Sequence, residues 1–205
     1  MESLRQYQNY NSQFPAGKEV IDASLWDTLP YATGVTVALQ FFTALRPTID
    51  LSNMRAAGQL PAPESFLVRA IRVFFKNQPE STATAAAGAV QPDSINDIFL
   101  IITTGTLVLN IGQKDYGIYP LHMLPAGGGV SGSMCVNNVL IAGAAASYGQ
   151  NGRPHIRNRF VLAIPVLIKS QINFNVTVTW PAFVGPIRTF NMCVALDGDL
   201  IRAIQ

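Results

Sequence analysis

Charge is what this 205-residue sequence has least of. Asp, Glu, Lys and Arg make up 13% of it, against about 25% in a typical soluble domain. Hydrophobic residues make up 49%, and mean hydropathy is +0.25. A chain with so few charges cannot dress a wholly free surface, so part of that surface is expected to be buried against partners. Acids are missing altogether between Asp115 and Asp197, a stretch that holds Arg153, Arg157, Arg159, Lys169 and Arg188. Net charge is only +2, too weak to imply nucleic acid. Long apolar runs are missing too. The longest clean ones are Phe160 to Ile168 and Val139 to Ala146, and a membrane-spanning helix needs roughly 18–20 consecutive apolar residues. No transmembrane segment is expected. The opening MESLRQYQNYNSQF lacks the apolar core of a secretory signal.

Residues that carry chemistry are equally sparse. The two histidines, His122 and His155, fall in loop-like surroundings, and a triad needs a nucleophile, a base and an orienting acid. Ser131 in GGVSGS departs from the G-x-S-x-G elbow because Ser133 replaces the last glycine. A glycine-rich loop is the preferred reading there. His122, Cys135 and His155 are strewn too loosely for the three or four close ligands of a zinc site. Most of the twelve acids lie in turns (Asp50, Asp93, Asp197) or near the N-terminus, and nothing points to a catalytic carboxylate pair. GGG at 127–129 precedes no lysine and no clear helix, so it is not a phosphate loop. Neither Cys135 nor Cys193 sits in a metal or redox spacing, and two buried thiols are preferred to a disulfide. Asn175-Val176-Thr177 matches a glycosylation acceptor but lies inside an expected strand. No enzyme activity, metal or cofactor is expected.

What is present is alternation. Val35, Val37, Leu39 and Phe41 alternate with Thr36, Ala38, Gln40 and Phe42. NFNVTVTW (173–180) puts Phe174, Val176, Val178 and Trp180 on one face and Asn and Thr on the other. Phe190, Met192, Val194 and Leu196 alternate with Asn191, Cys193 and Ala195, and Asp197-Gly198 offers a hairpin turn into a short last strand. Ile98, Leu100 and Ile102 read as a strand that breaks at Thr-Thr-Gly before Leu107, Leu109 and Ile111. Phe160 to Ile168 reads as a strand in which Pro165 argues for an edge or a bulge. Helix is expected only as one turn at 52–59 and a short apolar segment from Val139 to Tyr148. The sum is about eight strands joined by long connections at 77–96 and 125–155: an all-β sandwich or barrel. Residues 1–18, polar and aperiodic, are expected to be an arm ordered on a neighbour or a frayed terminus, with the folded domain spanning 19–205.

FLVRAIRVFF (66–75) poses a particular problem. Strand alternation gives Phe66, Val68, Ala70, Arg72 and Phe74 on one face, and Leu67, Arg69, Ile71, Val73 and Phe75 on the other. Both faces want to be dry, and the domain's own core covers one.

This charge-poor, eight-strand pattern resembles the jelly-roll capsid proteins of viruses, bacteriophage shell proteins in particular. LPAPESFLVRAIRVFF, RNRFVLAIPVLI with NFNVTVTWP, and CVALDGDLIRAIQ carry the likeness. The resemblance implies a single jelly roll and a structural virion protein, a main coat or cement subunit of an icosahedral shell made in the host cytoplasm. It implies partners that are copies of the chain and other virion proteins, and it implies no catalytic site. On that reading a neighbour or the chain's own arm covers the second face of 66–75, and Phe66, Arg69, Arg72 and Phe75 are the subunit-interface candidates. The cluster RPHIRNR, with Arg153, Arg157 and Arg159, is the basic-patch candidate. It suits an acidic neighbour, nucleic acid or lipid headgroups, or else is a solvated loop leading into the Phe160 strand, which is preferred. A jelly-roll module binding carbohydrate is the alternative function. It usually shows solvent-facing Trp or Tyr beside acids or amides, and of the two tryptophans, Trp26 and Trp180, Trp180 reads as core.

Overall fold

The computed structural model describes residues 17–31, 37–76, 94–125, 128–135, 146–152, 159–182 and 190–203. These form strands β1 (Lys18–Tyr31), β2 (Ala38–Phe41), β3 (Ser65–Lys76), β4 (Thr106–Ile111), β5 (Lys114–Pro120), β6 (Gly128–Cys135), β7 (Ala146–Gly152), β8 (Phe160–Ile168), β9 (Phe174–Thr179) and β10 (Phe190–Ala203), and one helix, α1 (Ser94–Thr104). The protein is mainly β. Sheet A has the order β1-β10-β3-β8, sheet B the order β2-β9-β4-β5, and β6 pairs with β7 alone. Every strand pair is antiparallel. Residues 1–16 of the expected arm lie outside the described residues. Lys18 already belongs to β1, opposite Ala203.

The core lies between the two sheets and follows from alternation. In β9 Phe174, Val176 and Val178 are buried while Asn175, Thr177 and Thr179 are half-buried on the outer face, as the pattern requires. β4 does the same with Leu107, Leu109 and Ile111. They join Met192, Val194 and Leu196 of β10, one of the two central strands of sheet A, in one hydrophobic cluster. Each such side chain contributes about 1.5–3 kcal/mol on burial.

Five expectations are corrected. The segment containing Ile98, Leu100 and Ile102 is helix, not strand: Ile98, Ile101 and Ile102 are buried at helical spacing, while Phe99 and Leu100 face solvent. The helix stops at Gly105, where a Cβ would stand 2.7 Å from the Trp180 indole nitrogen. Asp197-Gly198 is not a hairpin turn, because β10 runs straight through it while pairing with β1 on one side and β3 on the other. Residues 52–59 form isolated bridges and a turn, without helix. The glycine-rich stretch after 125 pairs as β6 and β7, which puts Ser131 opposite Gln150 in a strand rather than in a loop. It also makes 146–148 strand, whereas 139–145 lie outside the described residues. Pro165 sits where it was expected, on an edge strand with irregular pairing: β8 ends sheet A, and its register with β3 jumps between Val68 and Ala70. No helix among the described residues is long and apolar enough to cross a membrane.

The two-faced strand resolves within the chain. Ala70 opposes Asp197 and Val68 opposes Gly198, so Arg69 is an extra residue in β3. A bulge of this kind switches which side chains point inward. Before it Phe66 and Val68 enter the core; after it Ile71, Val73 and Phe75 do. Leu67, Arg69, Arg72 and Phe74 are left half-buried on the outer face.

Candidate interaction surface

Phe66 and Phe75 are therefore core residues, 0% and 3% exposed, and neither presents its side chain to a neighbour. The bulge leaves Arg69 and Arg72 together on the outer face, aimed at two buried acids of β10. Arg69 Nε donates to Asp199 Oδ2 at 2.5 Å, and Arg72 Nη2 donates to Asp197 Oδ1 at 2.7 Å. Arg72 Nε lies 2.7 Å from Asp197 Oδ2, but its N–H is not directed at that oxygen. Ser24 Oγ of β1 also donates to Asp197 Oδ1, at 2.6 Å. Arg159 brings Nη1 within 3.8 Å of Asp197 Oδ2. Of the basic-patch candidates it alone is described, and it turns toward this cluster; Arg153 and Arg157 lie outside the described residues. Asp197 and Asp199 were not visible as partners in the sequence. The signal was there: Asp-Gly-Asp places two acids on one face of a strand, and Arg-x-x-Arg does the same for two cations only if a bulge intervenes.

A separate ion pair fastens the long connection after β2 to β1. Asp27, fully buried, accepts Arg46 Nε at 2.9 Å and Nη2 at 3.1 Å, and the Phe42 N–H at 2.6 Å. The hydrogen bond to Asp27, ahead of a desolvation penalty of opposite sign, raises the Arg46 guanidinium above its ordinary pKa, so it stays charged. Asn53 then completes the free edge of β1: its N–H donates to Trp26 O, its Oδ1 accepts the Trp26 N–H, and its Nδ2 donates to Ser24 O. Covering an edge in this way blocks pairing with another chain. Both indoles are committed inside the molecule. Trp26 Nε1 donates to Ile49 O at 3.0 Å, and buried Trp180 donates to Ile101 O at 2.8 Å.

The opposite side of the sandwich has no such cover among the described residues. Tyr119 of β5 packs on Phe160 of β8, ring centroids 5.1 Å apart, so the free edges of the two sheets run side by side. Burial also raises the Tyr119 phenol above its ordinary pKa. Around this seam Tyr116, Ile118, Val161, Ile164 and Leu167 are exposed, Ile164 by 81%. Tyr116 and Ile118 alternate with the inward positions of β5, and Val161 and Leu167 with those of β8.

A hollow of ≈ 140 Å³ beside Ser24, Asn53, Arg55, Glu64 and Leu200 falls below the roughly 300 Å³ at which small-molecule pockets begin. It is bordered by the Arg55–Glu64 ion pair. His122 is exposed on the 3₁₀ turn Leu121–Met123. Cys193 is buried, its thiol 3.9 Å from Val194 O. Among the described residues no three of His, Cys, Asp and Glu gather closely enough to hold a metal ion. No family model, curated protein or solved structure matches the chain.

Proposed function

We propose that this chain is a structural virion protein, a self-assembling coat or cement subunit of an icosahedral shell, built on a single jelly roll. The strand order supports the fold. With the β6–β7 insertion set aside, the pairs β1·β10, β2·β9, β3·β8 and β4·β5 form a nested hairpin whose ends meet and whose middle folds over. Wrapping such a nest gives two four-stranded sheets, the architecture that jelly rolls use. Capsid subunits, lectin domains and cupins share it, so fold alone does not select among them.

The observation that carries the function is the apolar seam of β5 and β8. Five large apolar side chains stand exposed along two adjacent sheet edges, in a chain whose charged fraction is only 13%. A monomer in water gains nothing from that arrangement; a subunit that buries the seam against a copy of itself does. The test is light scattering on the purified protein with negative-stain images of the same fraction. Rings, capsomer-like oligomers or shells are expected. A monomer at every concentration overturns the reading.

A further inference from the structure

Granting that self-assembly reading, and without using the β5–β8 seam, we infer that the first turns of β1 pair with β1 of a second copy, antiparallel about a two-fold axis at Val20. β1 ends sheet A. The strap that follows β2 covers its outer edge at Ser24 and Trp26, where Asn53 bonds to the Ser24 carbonyl and to both backbone groups of Trp26, and no further toward Lys18. β1 pairs with β10 without a register shift from Lys18 to Tyr31. The two-residue period of a strand therefore turns the N–H and C=O groups of Lys18, Val20 and Asp22 to that same edge. Among the described residues nothing bonds to them there.

Charge selects a second copy as the occupant. Lys18 and Asp22 are exposed, share one face of β1, and have no ion-pair partner among the described residues. They stand about 13 Å apart along the strand, too far to reach each other. Asp22 also stands opposite Asp199 across the β1–β10 pair, where Arg69 is already engaged. Charged residues on an edge strand usually deter pairing. Here the two signs lie symmetrically about Val20, so a two-fold contact sets Lys18 of each copy against Asp22 of the other, and the Val20 pair between them exchanges both backbone hydrogen bonds. Val20 adds backbone alone, since its side chain is already buried opposite Ile201. Glu19, paired with Arg202, falls opposite the other copy's Ile21, so no like charges meet directly. A register two residues away in either direction sets Lys18 against Ser24 or Val20 and loses both charge matches. Gly17, at φ +87°, turns the chain where it falls opposite Ala23, so the pairing ends before the strap.

Charge reversal tests the contact, with association followed by analytical ultracentrifugation over a range of concentrations. Lys18→Asp and Asp22→Lys each set like charges against each other in both pairs, and each should need at least a tenfold higher concentration to associate. Both sites are exposed, and circular dichroism with a melting curve checks each fold; Lys18→Glu and Asp22→Arg replace either variant that fails to fold. Mixed in equal amounts, the two single variants match each other's charges and should associate as the unaltered chain does. The double variant Lys18→Asp with Asp22→Lys should do so alone. Hydrogen exchange locates the contact: the Val20 and Asp22 amides should exchange at least tenfold more slowly in the associated chain than in either single variant. If the single variants associate like the unaltered chain, if neither the mixture nor the double variant recovers, or if those amides stay unprotected, the β1 contact is wrong and self-assembly stands. If the unaltered chain is a monomer at every concentration, both readings fall.

Discussion

Gly198 of β10 meets Leu67 of β3 backbone to backbone: a Cβ on Gly198 would stand 1.9 Å from the Leu67 carbonyl oxygen. No side chain fits there. The approach occurs where Arg69 is the extra residue of β3, and on the outer side of the same place Asp197 and Asp199 take Arg72 and Arg69. The glycine therefore permits the bulge, the bulge switches the inward face of β3, and the switch sets the two arginines over their acids.

Gly198→Ala should consequently be among the most damaging small substitutions in the chain. The clashing atom is fixed backbone, so relief requires the two central strands of sheet A to part. Overpacking typically costs about 1–3 kcal/mol, and the upper end or beyond is expected here. Urea unfolding should show a lowered midpoint with an unchanged slope. A midpoint within error of the parent would mean that the strands do not approach as closely as they do here.

The bulge also bears on how much of the fold the sequence discloses. β9 is readable because its alternation is unbroken and uncharged. FLVRAIRVFF is readable only as a contradiction, since two dry faces are incompatible with one continuous pleat. A bulge that exchanges faces resolves it without a partner, but the residue that reveals the bulge, Gly198, lies 129 positions from Arg69. α1 is ambiguous because IFLII satisfies both periods, and distant Trp180 bonds to its C-terminal turn. β1 is hidden because Asp27, a residue that normally marks a turn, is buried beside Arg46. The candidates Phe66 and Phe75 are buried, whereas β5 and β8, which end their sheets, carry several of the exposed apolar residues. Which strand ends a sheet is a property of topology, and local pattern does not encode it.

Three phenylalanines of β3 test the face switch directly. Under unbroken alternation Phe66 and Phe74 would be equivalent and Phe75 their opposite. With the bulge, Phe66 and Phe75 are both inside and Phe74 is outside. Phe66→Ala and Phe75→Ala should each cost about 3–5 kcal/mol, the usual range for emptying a buried aromatic site. Phe74→Ala should cost about 1–1.5 kcal/mol, in keeping with partial burial. Thermal or chemical denaturation of the three variants ranks them; a Phe74 variant as damaged as the Phe66 one would remove the bulge.

Arg46→Ala should loosen the strap. It leaves Asp27 buried with only the Phe42 and Thr28 N–H groups, and breaking one side of a buried ion pair costs about 3–5 kcal/mol. Removing both charges together, as Asp27→Asn with Arg46→Ala, should cost less than the two single losses added, because the stranded charge disappears with its partner. Strict additivity in that double-mutant cycle would show that the two groups do not interact. Hydrogen exchange should locate the effect: amides of Asn53 and Trp26 should exchange faster in Arg46→Ala, since the strap holds the edge of β1 through them.

Trp180→Phe isolates the link between sheet B and α1. The ring stays large enough to pack against Tyr31, whose centroid is 4.8 Å away, but the N–H to Ile101 O is lost. That carbonyl lies in the last turn of the helix, away from water. Stranding a buried acceptor costs about 1–3 kcal/mol, and this is the loss expected in denaturant unfolding. Fluorescence supplies an independent readout, because the only other indole, Trp26, is half-buried. Removing buried Trp180 should leave a weaker spectrum shifted to longer wavelength. A stability loss without that shift would mean that Trp180 is wetter than its position between Tyr31 and Ile101 allows. The shift without a stability loss would mean that the helix end finds another donor.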